Sequence, residues 1–456
     1  MNAIIVSALW GVLMMYVGFA TSQKRTVSVV AIVGISAVLI SNWLEYKGLP
    51  FFDIDTKGML YYSSFGLIFN SIVLVATFLY FLLSSKEIEE AGKAPSDLYA
   101  LLFFILSGIS VIAGFKSLLT LFIGIEIVSI PLYVLAGSHK QDLKSNEAAL
   151  KYFLMGSFST GLMLMGIAFL YGDAGTFFVN GINAGLTELS PMKIIGMVLL
   201  MAAMSFKVSA APFHFWTPDV YDGSPTVFTS FMSTIVKAAG FFAFLKLFES
   251  AFGKIQLEWK LLVAILAALT LIIGNLTAVF QQSVKRMLSY SSIAQAGFMM
   301  LAVFTLNTYA KQGIILYFAA YSIATIIIFA VLAKFKDHTI DAFNGFAKKQ
   351  PIVSLAMLIA FLSLAGIPLT AGFFAKYYML LAVIKDGSML WLAVIGILGA
   401  AVSVYYYFRV IQAIYFKSPS GEVSIEVSSG FRWSLLFASL IIIALGIHPD
   451  WITLLL

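Results

Sequence analysis

Runs of predominantly apolar residues, each about 20 long, recur from Ile4 almost to the end of this chain, and nothing else in it limits the fold so strongly. A helix of that length crosses the hydrocarbon of a bilayer and pairs every backbone N–H and C=O within itself, which lipid demands. The ten-residue alternation of an outer-membrane barrel is missing. The expected fold is therefore an all-α polytopic membrane protein of about 14 transmembrane helices. Composition agrees, because 61% of the 456 residues are hydrophobic and only 11% are charged. The first run, Ile4 to Ala20, has no basic stretch before it and no small-residue cleavage pattern after it, so it is expected to stay as a helix.

Two places interrupt the pattern. Between Phe206 and Phe242, Pro212, Pro218 and Pro225 cannot continue regular helix hydrogen bonding, so the backbone must open. Open backbone at membrane depth is tolerated only inside protein or beside water, which predicts a hydrated site. The run from Pro351 to Lys385 is too long for one straight span and contains Gly366-Ile367-Pro368, so a second broken helix is expected there. The breaks at Pro212 and Pro368 fall in corresponding places of two five-helix units, as in inverted transporter repeats. The organisation expected is helices 1 to 3 over residues 1–97, a first repeat of helices 4 to 8 over 98–250, a second of helices 9 to 13 over 251–417, and helix 14 over 418–456. Loops after odd-numbered spans carry the excess of Lys and Arg, among them Lys24, Arg25, Lys86, Lys93, Lys348 and Lys349; Lys246 and Lys260 are counted in the opposing loops. That bias places odd loops in the cytoplasm and both termini outside.

Charge inside the apolar runs is costly and marks candidate function. Glu126 sits mid-helix in LFIGIEIVSIPLYVLAG, with Pro131 expected to disturb the backbone beside it. Lys207 and Lys237 lie deep among Val, Ala, Phe and Ile on either side of the first break, and Lys376 follows the second. Burial disfavours a charged lysine while a nearby carboxylate favours it, so a moving neighbour switches its protonation. The plainer alternative is a set of structural ion pairs. Lys151, four residues after Glu147, is a candidate relay or a helix-surface pair. His214, two residues before Trp216, is a candidate relay or a structural histidine. Arg409 is expected to anchor loops or lipid, since it does not readily release a proton. Asp219 and Asp222 read as turn and cap residues.

Much chemistry is excluded. The chain has no cysteine, so it forms no disulfide, holds no cysteine-ligated iron–sulfur cluster and offers no thiol nucleophile. His139, His214, His338 and His448 have no metal-site spacing, and no glycine-rich phosphate loop is present. The net charge of +6 is scattered over short loops without a basic stripe, which argues against nucleic acid.

The runs EAALKYFLMGSFSTGLMLMGIAFLYG (147–172), FKVSAAPFHFWTPDVYDGSPT (206–226) and KRMLSYSSIAQAG (285–297) resemble the subunit N family of bacterial respiratory complex I, the proton-translocating NADH-quinone oxidoreductase. The likeness covers nearly the whole chain. Subunits L and M and cation/proton antiporter subunits share the general PFHxWxPD pattern but vary after it; the chain is also expected to lack the long lateral helix typical of subunit L. The resemblance implies that Glu126, Lys207, Lys237 and Lys376 form a charged axis along the membrane midplane, with Lys151 and His214 at further family positions. It implies neighbouring antiporter-like and other membrane subunits as partners in the lipid bilayer of the cell inner membrane. It places NADH, FMN, iron–sulfur clusters and quinone elsewhere in the complex, with no cofactor on this chain. One departure stands out: Gln295 occupies a position where related subunits often carry His, which puts a titrating group there in doubt. Two other functions fit the residues, a cation/proton antiporter subunit without a redox partner and a scaffold whose buried charges only hold helices together.

Overall fold

A computed structural model describes residues 1–21, 23–52, 54–185, 190–419, 425 and 427–455. The chain is all-helical, and among the described residues β-structure is confined to isolated bridges. The helices are α1 (Asn2–Ala20), α2 (Lys24–Tyr46), α3 (Ser64–Glu90), α4 (Pro95–Gly114), α5 (Leu118–Ala136) and α6 (Leu143–Ala174). There follow a broken helix, α7a (Pro191–Lys207) and α7b (Trp216–Gly223), and α8 (226–252), which contains a π-helical turn at Met232–Val236. The remaining long helices are α9 (Gln256–Val279), α10 (Val284–Thr305), α11 (Thr308–Leu332), a second broken helix α12a (Pro351–Ala365) and α12b (Ala371–Asp386), α13 (Leu390–Phe416) and α14 (Ser429–Ile447), with short helical turns between some of them. Among the described residues eleven helical runs are long and apolar enough to span a membrane, with α8 and α9 merged as Thr226–Val279; the halves of the broken helices fall below that length.

Burial sorts these helices. The apolar window of α11 is wholly buried and that of α10 is 94% buried, so these two form the centre. In α6 and α13 only a third is buried, and side chains such as Leu150, Phe158, Leu398 and Tyr405 face outward. A helix apolar all round is buried at the core or faces lipid. Because lipid tails are as apolar as leucine, helices here associate through close packing at small residues. A Cβ on Gly274 of α9 would lie 2.4 Å from the backbone nitrogen of Ala294, and one on Gly297 of α10 2.8 Å from that of Leu271, so both glycines are required where α9 and α10 touch.

Both expected breaks are present. Pro218 falls in the first turn of α7b, where its missing N–H has no intrahelical acceptor to lose. Each break holds a non-glycine residue in the left-handed region, Ser209 (φ 63°) and Leu369 (φ 72°), a conformation that persists only where its surroundings impose it. Pro131, by contrast, lies inside an uninterrupted α5, so the expected disturbance is not a break. Lys246 belongs to α8 rather than to a loop; its Nζ donates to the carbonyl of Ala113 (2.8 Å) at the end of α4, where a cation complements the helix dipole. Lys260 lies on α9 and pairs with Asp386, both nearly buried.

Candidate functional site

The interrupted helices deliver the charged side chains inward. Lys207 is the last residue of α7a, and its Nζ donates to the hydroxyl of Ser129 (3.0 Å) on α5. One turn earlier on α5, Glu126 accepts from the Thr160 hydroxyl (2.8 Å) of α6. Lys207 Nζ and Glu126 Oε1 are 3.9 Å apart, the outer limit of an ion pair. Each group therefore has a neutral partner of its own, and the pair can loosen without leaving either bare.

Lys237 follows the π-helical turn in α8, a distortion often found at functional positions. It is 2% exposed, and its Nζ donates to the carbonyl (2.9 Å) and hydroxyl (3.0 Å) of Ser292 on α10, with the ring of Tyr221 5.8 Å away. Lys376 on α12b is 6% exposed; its Nζ donates to the carbonyl of Ala365 (3.0 Å), the last residue of α12a, and reaches the Ser403 hydroxyl (3.4 Å) on α13. The lysine so caps the helix end that the break exposes. Gly366 makes room, since its φ is +82° and a Cβ there would lie 2.9 Å from the Lys376 stem.

Between these lysines stands Gln295, one turn beyond Ser292 on α10. Its Nε2 donates to the carbonyl of Leu364 (3.2 Å) and to the Tyr407 hydroxyl (3.0 Å), and its Oε1 accepts from the Tyr317 hydroxyl. Tyr407 bonds in turn to the Ser291 hydroxyl (2.5 Å). Ser292 and Gln295 lie one turn apart on one face of α10 and Leu364 neighbours Ala365, so a line of buried polar groups, not a continuous hydrogen-bonded chain, is spaced from Lys237 past Ser292 and Gln295 to the end of α12a and Lys376. A cavity of about 10 Å³, room for about one water, opens on Gln295, Tyr317, Tyr321 and Lys376.

Gln295 is not among the residues the sequence marks as candidates, because an amide stands there where related subunits often carry a titrating His. The signal in the sequence is spacing: Lys285, Ser289, Ser292 and Gln295 recur three or four residues apart, on one face of α10. Two other candidates stand apart from the line. Lys151 is half-exposed and pairs with Glu147 (2.7 Å) and Asp219 (2.8 Å). Asp219 also meets Arg286 (3.6 Å), so it anchors an ion-pair cluster instead of serving as a turn residue. His214 is buried beside Phe215, its Nδ1 without a hydrogen-bond partner, and no hydrogen bond or ion pair among the described residues joins it to the four charged positions. Arg409 does what its fixed charge suggests: it donates to the carbonyls of Val279 (2.7 Å) and Gln281 (3.3 Å), holding the end of α9.

The family model for the transmembrane region of NADH:quinone oxidoreductase and Mrp antiporter proteins matches residues 116–403, a stretch containing both breaks and all four charged positions. The chain belongs to that family. Within the NADH:quinone oxidoreductase/Mrp antiporter family it is similar to NADH-quinone oxidoreductase subunit N of Cytophaga hutchinsonii, with 39% identity over 99% of this chain and 98% of the relative. Subunit N of Trichlorobacter lovleyi is also 39% identical, over 92% of this chain and 88% of its own. Among solved structures, a chain of respiratory complex I from Thermus thermophilus superposes with a TM-score of 0.85 at 31% identity, covering 99% of this chain and 98% of that one.

Proposed function

We propose that the chain is the proton-translocating subunit N of an NADH-quinone oxidoreductase, moving protons through Glu126, Lys207, Lys237 and Lys376 while electrons pass from NADH to quinone in other subunits. The observation that carries this reading is the buried polar line from Lys237 by way of Ser292 and Gln295 to Lys376, in a chain whose relatives are subunit N. A lysine that holds a proton on a carbonyl and a serine hydroxyl can release it when the local charge changes, and hydroxyl and water groups pass it over the intervening distance. Gln295 does not titrate, so its part is to hold Tyr317 and Tyr407 in line. The loose Glu126–Lys207 pair supplies the changing charge: when the carboxylate draws near, Lys207 keeps its proton, and when the pair opens, the proton moves on.

No redox step takes place in this chain under this reading. NADH, FMN, the iron–sulfur clusters and quinone belong to partner subunits, and the complex lies in the bacterial inner membrane with both termini of this chain outside the cytoplasm. The two five-helix repeats, 98–250 and 251–417, each contribute one break, and the proton line crosses between them. Lys151 and His214 have at most a peripheral part.

The test uses inverted membrane vesicles from cells whose chromosomal copy carries Lys376→Met, compared with the parent for NADH-driven acidification and for growth in sodium. Loss of acidification with sodium tolerance intact is expected. Intact acidification with loss of sodium tolerance would replace this reading with that of a cation/proton antiporter.

A further inference from the structure

The loops that follow α5, α9 and α11 meet the end of α7b around a cavity of about 470 Å³, whose lining includes His139, Asp142, Asp222, Lys285 and His338. All of these loops lie on the face that the lysine and arginine bias assigns to the cytoplasm. Lys285 is 4% exposed, and its Nζ donates to the carbonyls of Asp222 (2.9 Å) and Ser224 (2.6 Å), tying the end of α7b to the start of α10. The titratable groups around it are Asp222 at the end of α7b, His139, Asp142 and Lys144 after α5, and Lys336, Asp337 and His338 after α11.

Behind Lys285 the polar character continues inward. Lys285, Ser289, Ser292 and Gln295 share one face of α10 and are all buried. The Ser289 hydroxyl donates to the carbonyl of Lys285 (3.0 Å), that of Ser292 to the carbonyl of Ser289 (2.7 Å), and Lys237 bonds Ser292. The hydroxyls of Ser224, which caps the end of α7b and lines the cavity, and of Ser230, in the first turns of α8, are buried with no hydrogen-bond partner among the described residues. Buried hydroxyls of this kind are ordinarily satisfied by water.

We infer that Lys285 is the gate of a water path from this cavity to Lys237: tied to the carbonyls of Asp222 and Ser224 it closes the path, and released from them it admits water as far as Ser289 and Ser292. Lys285 is a positioning residue here, since it touches the carbonyls that close the path and not Lys237. The inference rests on the proposed proton-transfer function and adds where the proton enters. Because this chain has no cysteine, modification detected on this chain reports water access at the single one introduced. The experiment places Ser289→Cys in the intact complex in vesicles and measures its rate of modification by a small charged methanethiosulfonate reagent. Modification should be slow with Lys285, faster by about tenfold or more with Lys285→Ala, and slow again with Lys285→Arg, which keeps the carbonyl contacts. An equal rate in all three would overturn the gate. Should Lys285→Ala fail to assemble, the same cysteine beside native Lys285 is compared at rest and during NADH turnover; acceleration during turnover supports the gate, and an unchanged rate overturns it. Water access at rest is read without reference to pumping, so failure of the gate and failure of the proton-transfer reading give separate signatures.

Discussion

At the scale of single residues, what distinguishes the charged positions is that each has a neutral partner as well as a charged or aromatic one. Glu126 rests on Thr160 and Lys207 on Ser129, with 3.9 Å between the two charges. Glu126→Gln keeps the Thr160 contact and removes only the charge, so NADH-driven proton uptake is expected to fall by about tenfold, equivalent to about 1.4 kcal/mol, while the complex still assembles. Parent-like uptake would show that this carboxylate does not set the protonation of Lys207. His338, in the loop after α11, makes a test of the cavity's electrostatics. Burial first, and then the Lys285 ammonium, hold its imidazole below the usual histidine range, with the Phe335 carbonyl, Asp222 and Asp337 acting the other way. A histidine whose folded pKa is depressed binds fewer protons folded than unfolded, so this loop loses stability as pH falls through about 6.5. Histidine C2-hydrogen exchange followed by mass spectrometry should give His338 a midpoint below about 6.5. In Lys285→Met the midpoint should rise; no change would mean that the ammonium does not reach the ring.

The elements were largely legible in the sequence, because apolar length and proline placement act locally. Pro212 and Gly366-Ile367-Pro368 announced the breaks, which lie at residues 207–216 and 365–371. Lys207, Lys237 and Lys376 were legible as buried charge for the same reason. Pairing was less legible. Nothing local says that Lys237 will meet Ser292 55 residues away, or that Gln295 will bridge to α12a, because side-chain partners across helices depend on packing angles that hydropathy does not encode. Lys246 was misread as a loop residue because α8 continues past the apolar stretch before it turns. Two predictions belong to these elements. The hydroxyls of Ser209 in the first break and of Thr217 at the start of α7b are buried without partners, so cysteines placed there should react with small polar thiol reagents; inertness at both would make the break a dry kink. Gly372 opens α12b against Ser363, where a Cβ would lie 1.8 Å from the carbonyl oxygen. Gly372→Ala must therefore displace α12b from α12a and is expected to destabilise the assembled complex by about 1–3 kcal/mol, seen as a lower Tm of subunit dissociation; an unchanged Tm would mean that the two halves slide freely.

In the whole molecule the buried centre, α10 and α11, is packed against two broken helices that present Lys207 and Lys376. The Glu126–Lys207 pair lies nearer the outside, and the polar line through Gln295 crosses the interior to Lys376. The orientation of this assembly follows from loop charge, so a reporter fused after Leu456 should register the extracytoplasmic side and one inserted near Lys93 the cytoplasm; reversed signals would invert the path. The central claim is that Lys237 and Lys376 give up and regain a proton instead of merely holding charge. Arginine tests this directly, because it keeps the cation and the hydrogen-bond donors but, with a pKa above about 12, does not release its proton. The decisive measurement is the number of protons taken up per NADH oxidised by assembled complex carrying Lys237→Arg or Lys376→Arg, in the same vesicles as the parent. The account predicts a lower ratio or loss of turnover for both variants; a ratio and rate equal to the parent in both would contradict it and leave these lysines as scaffold.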